Sequence, residues 1–349
     1  MPAAETVPAD AAGRPDARPR VPGPREQPER AWLALPRRHP VPALLDEARD
    51  AVAGLAETLA EVLPVTVLAD PADHAARSLI PPEVDLLAAP VDSPLLGRTG
   101  PGFVRRPEGL AAIVWRPAAG AGGPGPRDAG MAAAVAAAAG LPLLTPMLRA
   151  PRDAWVADGE GTAVVAADPV LDGRTNPAWT PEQVEAEFAA LLGITRVVWL
   201  PPVPRIPTGP WGGAGHLGAW VRLLGGGEAA VHWRADRFHP EHLHGAAALR
   251  ILQDAPDAAG RPLRVRTVPG GALPPEHDPA EIGPRSLVDT VPLGSAVLRP
   301  AFEDAATEEA AAVACAALHP GLRPVPFPGP PLLRLAGSLS DLVLVQPRP

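Results

Sequence analysis

The stretch Thr162–Leu200, TAVVAADPVLDGRTNPAWTPEQVEAEFAALLGITRVVWL, decides how the rest of the chain is read. It opens on Thr162–Ala166, a short apolar run rich in β-branched residues, which reads as a strand. A polar, turn-rich segment follows. Thr180 then precedes Pro181 and Glu182: a side chain that can cap, a proline suited to the first helical position, and an acid in the first turn. Val184, Phe188, Leu191 and Leu192 recur at spacings of three and four, so a helix over 181–192 has one apolar face. Gly193 ends it. A second apolar run, Thr195–Leu200, reads as another strand.

The same strand–helix–strand order recurs on both sides of this unit. Upstream lie Ala31–Leu35, Pro42–Leu63 and Val65–Ala69, then Ala111–Trp115, Arg127–Ala139 and Leu141–Thr145. Downstream lie Glu228–Trp233, Pro240–Asp254 and Pro262–Val268, then Ser295–Pro300, Asp304–Leu318 and Leu322–Pro326. One unit cannot bury both its sheet and its helix, so five units must close on one another. A doubly wound sheet is the competing layout, but no G-x-G-x-x-G joins a strand to a helix. A barrel of this type needs eight units. Gly225–Gly227 falls between two strand-like runs and reads as a hairpin turn, as does Asp158–Gly161.

Composition sets the outer limits. The chain has 349 residues, with 46% apolar and 20% charged, the balance of a globular protein. All 31 basic residues are Arg, and the net charge is −8. The arginines do not cluster into the basic patch that nucleic-acid binding requires, so no nucleic-acid partner is expected. The longest apolar stretch, Met131–Leu144, is mostly Ala and holds Gly140 and Pro142, so no membrane span is expected. Residues 1–21 lack an apolar signal core and read as a disordered N-terminal arm, leaving 22–349 as a single domain. One cysteine excludes an internal disulfide framework and a multi-cysteine zinc site, which fits a reducing, cytoplasmic setting. That cysteine, Cys315, lies in the Ala-rich VACAAL segment and reads as a small buried hydrophobe.

Within this frame, several strings resemble the agmatine deiminase and bacterial peptidylarginine deiminase family. Pro28–Pro36 (PERAWLALP) resembles the family's HERTWMAWP. Arg98–Val104 (RTGPGFV) resembles D-x-GP-x-FV, and Val156–Ala166 (VADGEGTAVVA) resembles HVDGEGTLLTT. Arg174–Pro177 (RTNP) is similar to NRNP, Leu191–Pro201 (LLGITRVVWLP) to LGV-x-KVIWLP, and Gly213–Val221 (GAGHLGAWV) to TDGHVD-x-x-x-F. The tail Ala336–Pro347 stands where the family has GGNIHCITQQ-x-P. The resemblance implies a pentein, a five-bladed αβ propeller with pseudo-fivefold symmetry, in agreement with the five units. It also implies hydrolysis of a guanidino group to a ureido group in polyamine metabolism, with no cofactor and no metal. A cysteine thiolate attacks, a histidine moves protons and carboxylates grip the guanidinium.

Carried over residue by residue, the implied site is depleted. The family histidine falls on His216 and is kept. The carboxylate two positions later falls on Gly218, and an earlier Asp falls on Ala214. The carboxylate ahead of the GP string falls on Arg98, with Leu95 in place of a tryptophan. The family's EGG glutamate falls near Pro151–Asp153, and an aromatic string becomes Ala118, Ala119 and Gly120. The nucleophilic cysteine falls on Asp341, beside Ser340, within reach of Ser338. An arginine in place of a carboxylate turns attraction into repulsion: two like charges 4 Å apart repel by about 4 kcal/mol at an effective dielectric near 20.

These losses point to a deiminase homologue that has lost deimination and acts as a binding or partner subunit, with an active paralogue or a second copy as the expected partner. The alternative is an active hydrolase, on a guanidino small molecule or another substrate, whose rebuilt site uses His216 and Asp341. Arg98 and Asp341 are expected to face each other as an ion pair across the old pocket. Elsewhere, His239, His242 and His244 beside Glu241 could hold a metal, but an exposed helix start accounts for them. The loops at residues 118–126 and 202–213, with Trp211 and Trp220, could form a new binding surface.

Overall fold

The structure, a computed structural model, describes residues 18–115, 125–201, 217–239, 241–271, 285–328 and 338–349. Among these residues there are five sheets, each built on one plan. The third unit shows it. Strand β8 (Thr162–Ala166) runs into helix α3 (Pro181–Leu192) and returns as the parallel strand β9 (Arg196–Leu200). A short strand, β7 (Trp155–Ala157), precedes β8 and pairs with it antiparallel. The predicted caps are in place: Thr180 and Gln183 form a reciprocal capping box, and Gly193 ends the helix at φ 67°. The Asp158–Gly161 segment is the β7–β8 turn, where the Asp158 carboxylate accepts the N–H groups of Glu160 and Thr162.

The other blades repeat this order. The first has β1 (Pro28–Ala34), α1 (Leu45–Ala60) and β2 (Val65–Ala69), with a further parallel strand β3 (Asp85–Ala88). The second has β4 (Gly102–Arg106), β5 (Gly109–Ile113), α2 (Met131–Ala138) and β6 (Leu143–Leu144). The fourth has β10 (Val221–Gly225), β11 (Glu228–Trp233), α4 (His242–Asp254) and β12 (Arg264–Pro269), with Gly225–Gly227 at the β10–β11 turn. The fifth has β13 (Val291–Pro292), β14 (Ala296–Ala301), α5 (Ala305–Leu318) and β15 (Arg323–Pro328). The last strand, β16 (Leu344–Pro347), pairs antiparallel with β1, so the chain's end completes the blade its start began.

The core explains why the central strands read as unbroken apolar runs. Alternate residues of a strand face opposite sides, and here both sides are buried. Trp32 packs with Leu68, Phe103 and Met131 between the first and second blades, whereas its neighbour Leu33 packs with Val291, Leu298 and Phe327 between the first and fifth. Val165 joins Ile113 and Phe188 between the second and third blades, and Val164 joins Val221 and Leu252 between the third and fourth. Leu224, Val268, Val288 and Leu318 fill the space between the fourth and fifth. Five apolar clusters thus occupy five blade-to-blade contacts and close the ring. The fold is an α/β pentein propeller.

Two finer points concern the ends. Within the stretch read as an unstructured arm, Arg20 exchanges backbone hydrogen bonds with Arg105 of β4, and the Val21 N–H reaches the Leu192 carbonyl. At the other end, the turn Leu339–Leu342 docks on the turn Leu96–Thr99. The approach is possible only at glycine, because a Cβ on Gly97 would lie 2.0 Å from the Ser340 carbonyl oxygen. Gly97→Ala is expected to destabilise the protein by at least about 2 kcal/mol, since backbone opposes the added methyl. Urea unfolding followed by tryptophan fluorescence measures this, and an unchanged midpoint would refute the close docking.

Candidate functional site

The innermost strand of every blade contributes to one cavity of about 240 Å3 on the ring axis. Phe103, Trp155, Leu223, Val291 and Val345 each represent one of the five blades in its wall. The rest of the lining includes Gly97, Arg152 and Asp153, Gly218, and Thr290 ahead of these strands, Arg222 within β10, His319 at the end of α5, and Ser338, Ser340 and Asp341 ahead of β16. Of the positions singled out, Gly218 and Asp341 line this cavity, whereas at position 98 it is the neighbouring Gly97 that does. His216 lies outside the described residues, as do most of the loops at 118–126 and 202–213, including Trp211.

The cavity is arranged around pairs of opposite charge. Arg222 of β10 donates Nη2 to Asp289, 3.2 Å away. Asp289 is buried and also accepts from the Ser338 hydroxyl at 2.8 Å and the Leu339 N–H at 2.7 Å. Burial pushes the Asp289 carboxyl up and the Arg222 guanidinium down in pKa, and each is the main charge opposing the other's shift. Arg98 is ion-paired with Asp153, Nε to Oδ2 at 3.1 Å. Asp341 is buried, and its carboxylate acts electrostatically on both Arg152 and Arg222. At the rim, Glu26 is held by Arg20 and Arg105.

Gly218 has a specific spatial meaning. It sits in the short turn Leu217–Ala219, where a Cβ would come within 3.0 Å of the Ser340 hydroxyl and 3.7 Å of the Arg222 guanidinium. Arg222 and Ser340 thus stand where a larger side chain at 218 would project. Ser340 in turn shares a hydrogen bond of 2.7 Å with the Ser338 hydroxyl.

Sequence reasoning set Arg98 against Asp341 and did not single out Asp153, with which the structure records an ion pair of Arg98. It also passed over Arg152, Arg222, Asp289 and His319. Two signals were present: Arg152–Asp153 stands where the EGG string was aligned, and Arg222 follows Gly218 by one turn of chain. Cys315 is buried in α5 and does not line the cavity; burial pushes its thiol up in pKa. Trp220 is buried, edge-on to His232, so it serves packing. His242 hydrogen-bonds the Arg234 carbonyl and packs on Trp233, and His239 accepts the Glu241 N–H. Among the described residues, no group of three or more His, Cys, Asp or Glu is placed to hold a metal ion, and no helix is long and apolar enough to cross a membrane.

Comparison with known proteins agrees with this architecture. The chain belongs to the Porphyromonas-type peptidyl-arginine deiminase family, whose family model matches residues 20–347. A Streptomyces coelicolor relative is 33% identical over 297 residues, 82% of this chain and 86% of its own length. The agmatine deiminase of Pseudomonas putida is 28% identical over 329 residues, 84% of this chain and 86% of its own. The solved agmatine deiminase of Enterococcus faecalis superposes with a TM-score of 0.83 at 19% identity, covering 95% of this chain and 96% of that one.

His319 gives the cavity a measurable pH signature. It is 9% exposed, and its Nε2 lies 2.8 Å from the Thr290 hydroxyl. Burial, with Arg222 and Arg25 adding to it, pushes the imidazole down to about 4 from an ordinary 6.5. The unfolded chain therefore takes up this proton near pH 6.5 and the folded chain only near 4. The stabilisation is complete above pH 6.5 and is lost as pH falls toward 4, on the order of 3 kcal/mol in all. His319→Gln should flatten the fall in unfolding free energy between those pH values. An unaltered slope in the variant would assign the acid sensitivity elsewhere.

Proposed function

We propose that this family member does not deiminate and instead binds a small molecule in its axial cavity. The observation that supports this reading is the commitment of the cavity's carboxylates to the chain's own arginines. Asp153 is engaged by Arg98, Asp289 by Arg222 and Glu26 by Arg20 and Arg105, while Asp341 lies in the field of Arg152 and Arg222. A guanidinium substrate has to win these carboxylates from guanidinium groups already in place, and it meets like charge from Arg98, Arg152 and Arg222 as it enters.

The nucleophile argument is independent. Attack on a guanidinium carbon needs a strong nucleophile, and the chain's one thiol is buried in α5 with a raised pKa. A carboxylate at position 341 is a weak nucleophile toward a resonance-stabilised cation, and positive neighbours weaken it further. Restoring the thiol alone, by Asp341→Cys, leaves Arg152 and Arg222 in the cavity and Arg98 beside it, and is expected to leave the protein inactive.

The test is direct. Purified full-length protein incubated with agmatine, arginine or a peptidyl-arginine substrate is expected to release ammonia and ureido product at the background rate. Ureido product that disappears in His216→Ala would establish the alternative, an active hydrolase with a rebuilt site.

A further inference from the structure

Of the three arginines in and beside the cavity, Arg152 differs from the other two. Arg98 and Arg222 each have a carboxylate oxygen within 3.2 Å. Arg152 has no hydrogen-bond acceptor among the described residues, and its Nε is enclosed with no partner. Its guanidinium lies over the Trp155 ring, 6.0 Å from the centroid, and lines the cavity. Its one charged influence is Asp341, and burial still pushes its pKa down to about 10. A guanidinium has five N–H donors in a planar fork that suits a carboxylate. Leaving such donors unmet in an enclosed site is costly.

The remainder of the wall sets the ligand's charge. A cation gains little, because the carboxylates are engaged. A dianion meets Asp153, Asp289 and Asp341 at once. A single negative charge placed on the Arg152 fork meets its unmet donors. The Ser338, Ser340 and Thr290 hydroxyls and the His319 ring offer neutral polar contacts nearby, and Phe103, Trp155, Val291 and Val345 offer an apolar wall for a short carbon chain.

We propose that the axial cavity binds a small monocarboxylate, with its carboxylate on the Arg152 guanidinium and its carbon chain against the apolar wall, and that it rejects free guanidinium cations. This rests on the reading of the protein as a binder, because it fills the deiminase cavity with a ligand that deimination does not act upon. Asp341 competes with the ligand for Arg152 and limits its affinity.

The experiment is a thermal-shift and calorimetric titration of the full-length protein with butanoate, agmatine and inorganic phosphate at matched ionic strength. Butanoate is expected to raise the melting temperature and bind at one site, while agmatine and phosphate leave the protein unshifted. Arg152→Met should weaken butanoate binding at least about tenfold, as loss of a charge-assisted contact does. Arg152→Lys should retain part of the affinity. Asp341→Asn should tighten butanoate binding, a gain that a misfolded variant cannot imitate. Binding of agmatine in preference to butanoate overturns the proposal, as does butanoate binding that survives Arg152→Met. A phosphate response equal to that of butanoate, or no response to any probe, overturns it too. Ureido formation from agmatine would instead overturn the non-catalytic reading, so the two failures are told apart by product analysis.

Discussion

The Asp289 carboxylate is the interaction on which the cavity depends. Three donors converge on it from two parts of the chain: Arg222 from the fourth blade, and the Ser338 hydroxyl and Leu339 N–H from the segment ahead of the last strand. By holding Leu339, it fixes the turn that presents Ser340 and Asp341 to the cavity and lies on Gly97. That turn leads into β16, which pairs with β1 and seals the ring. One buried charge thus ties the fourth and fifth blades to the chain's closing strand. Burial pushes its pKa up, and a guanidinium and two further donors oppose that shift.

Ion pairs in such a place do not primarily stabilise the fold. Taking two charges out of water offsets most of their attraction, and well-packed apolar residues often serve as well. The propeller is held by its five apolar clusters. What the pairs fix is position and charge: Arg98 on Asp153 and Arg222 on Asp289 keep the cavity close to neutral, with Arg152 left as the donor group that nothing in the described chain satisfies.

The propeller was largely readable from the sequence because its signals are local. Helix 181–192 announces itself through Thr180, Pro181 and Gly193, and strand 228–233 through a continuous apolar run, and both have the predicted bounds. The innermost strands were harder. Trp155–Ala157 and Val291–Pro292 are only three and two residues long, too short to show any period, and they form strands because the neighbouring strand offers its edge. The site was less readable for a related reason. Arg98, Gly218 and Asp341 stood out only through a resemblance. Arg222 and Asp289 are 67 positions apart, and in a chain whose every basic residue is Arg nothing local marks either one. Arg98 meets Asp153 because the blade order brings the turn at 96–99 against the segment that enters β7.

The central claim is that Arg222 at the cavity is neutralised by the chain's own Asp289. A double-mutant cycle on Arg222 and Asp289 tests it most directly, with unfolding free energies measured for Arg222→Met, Asp289→Leu and the pair together. Each single change leaves a buried charge uncompensated and is predicted to cost about 3 kcal/mol or more, while the double variant costs clearly less than their sum. Costs that add to within about 0.5 kcal/mol would mean that the two charges do not sense each other, and would contradict the account.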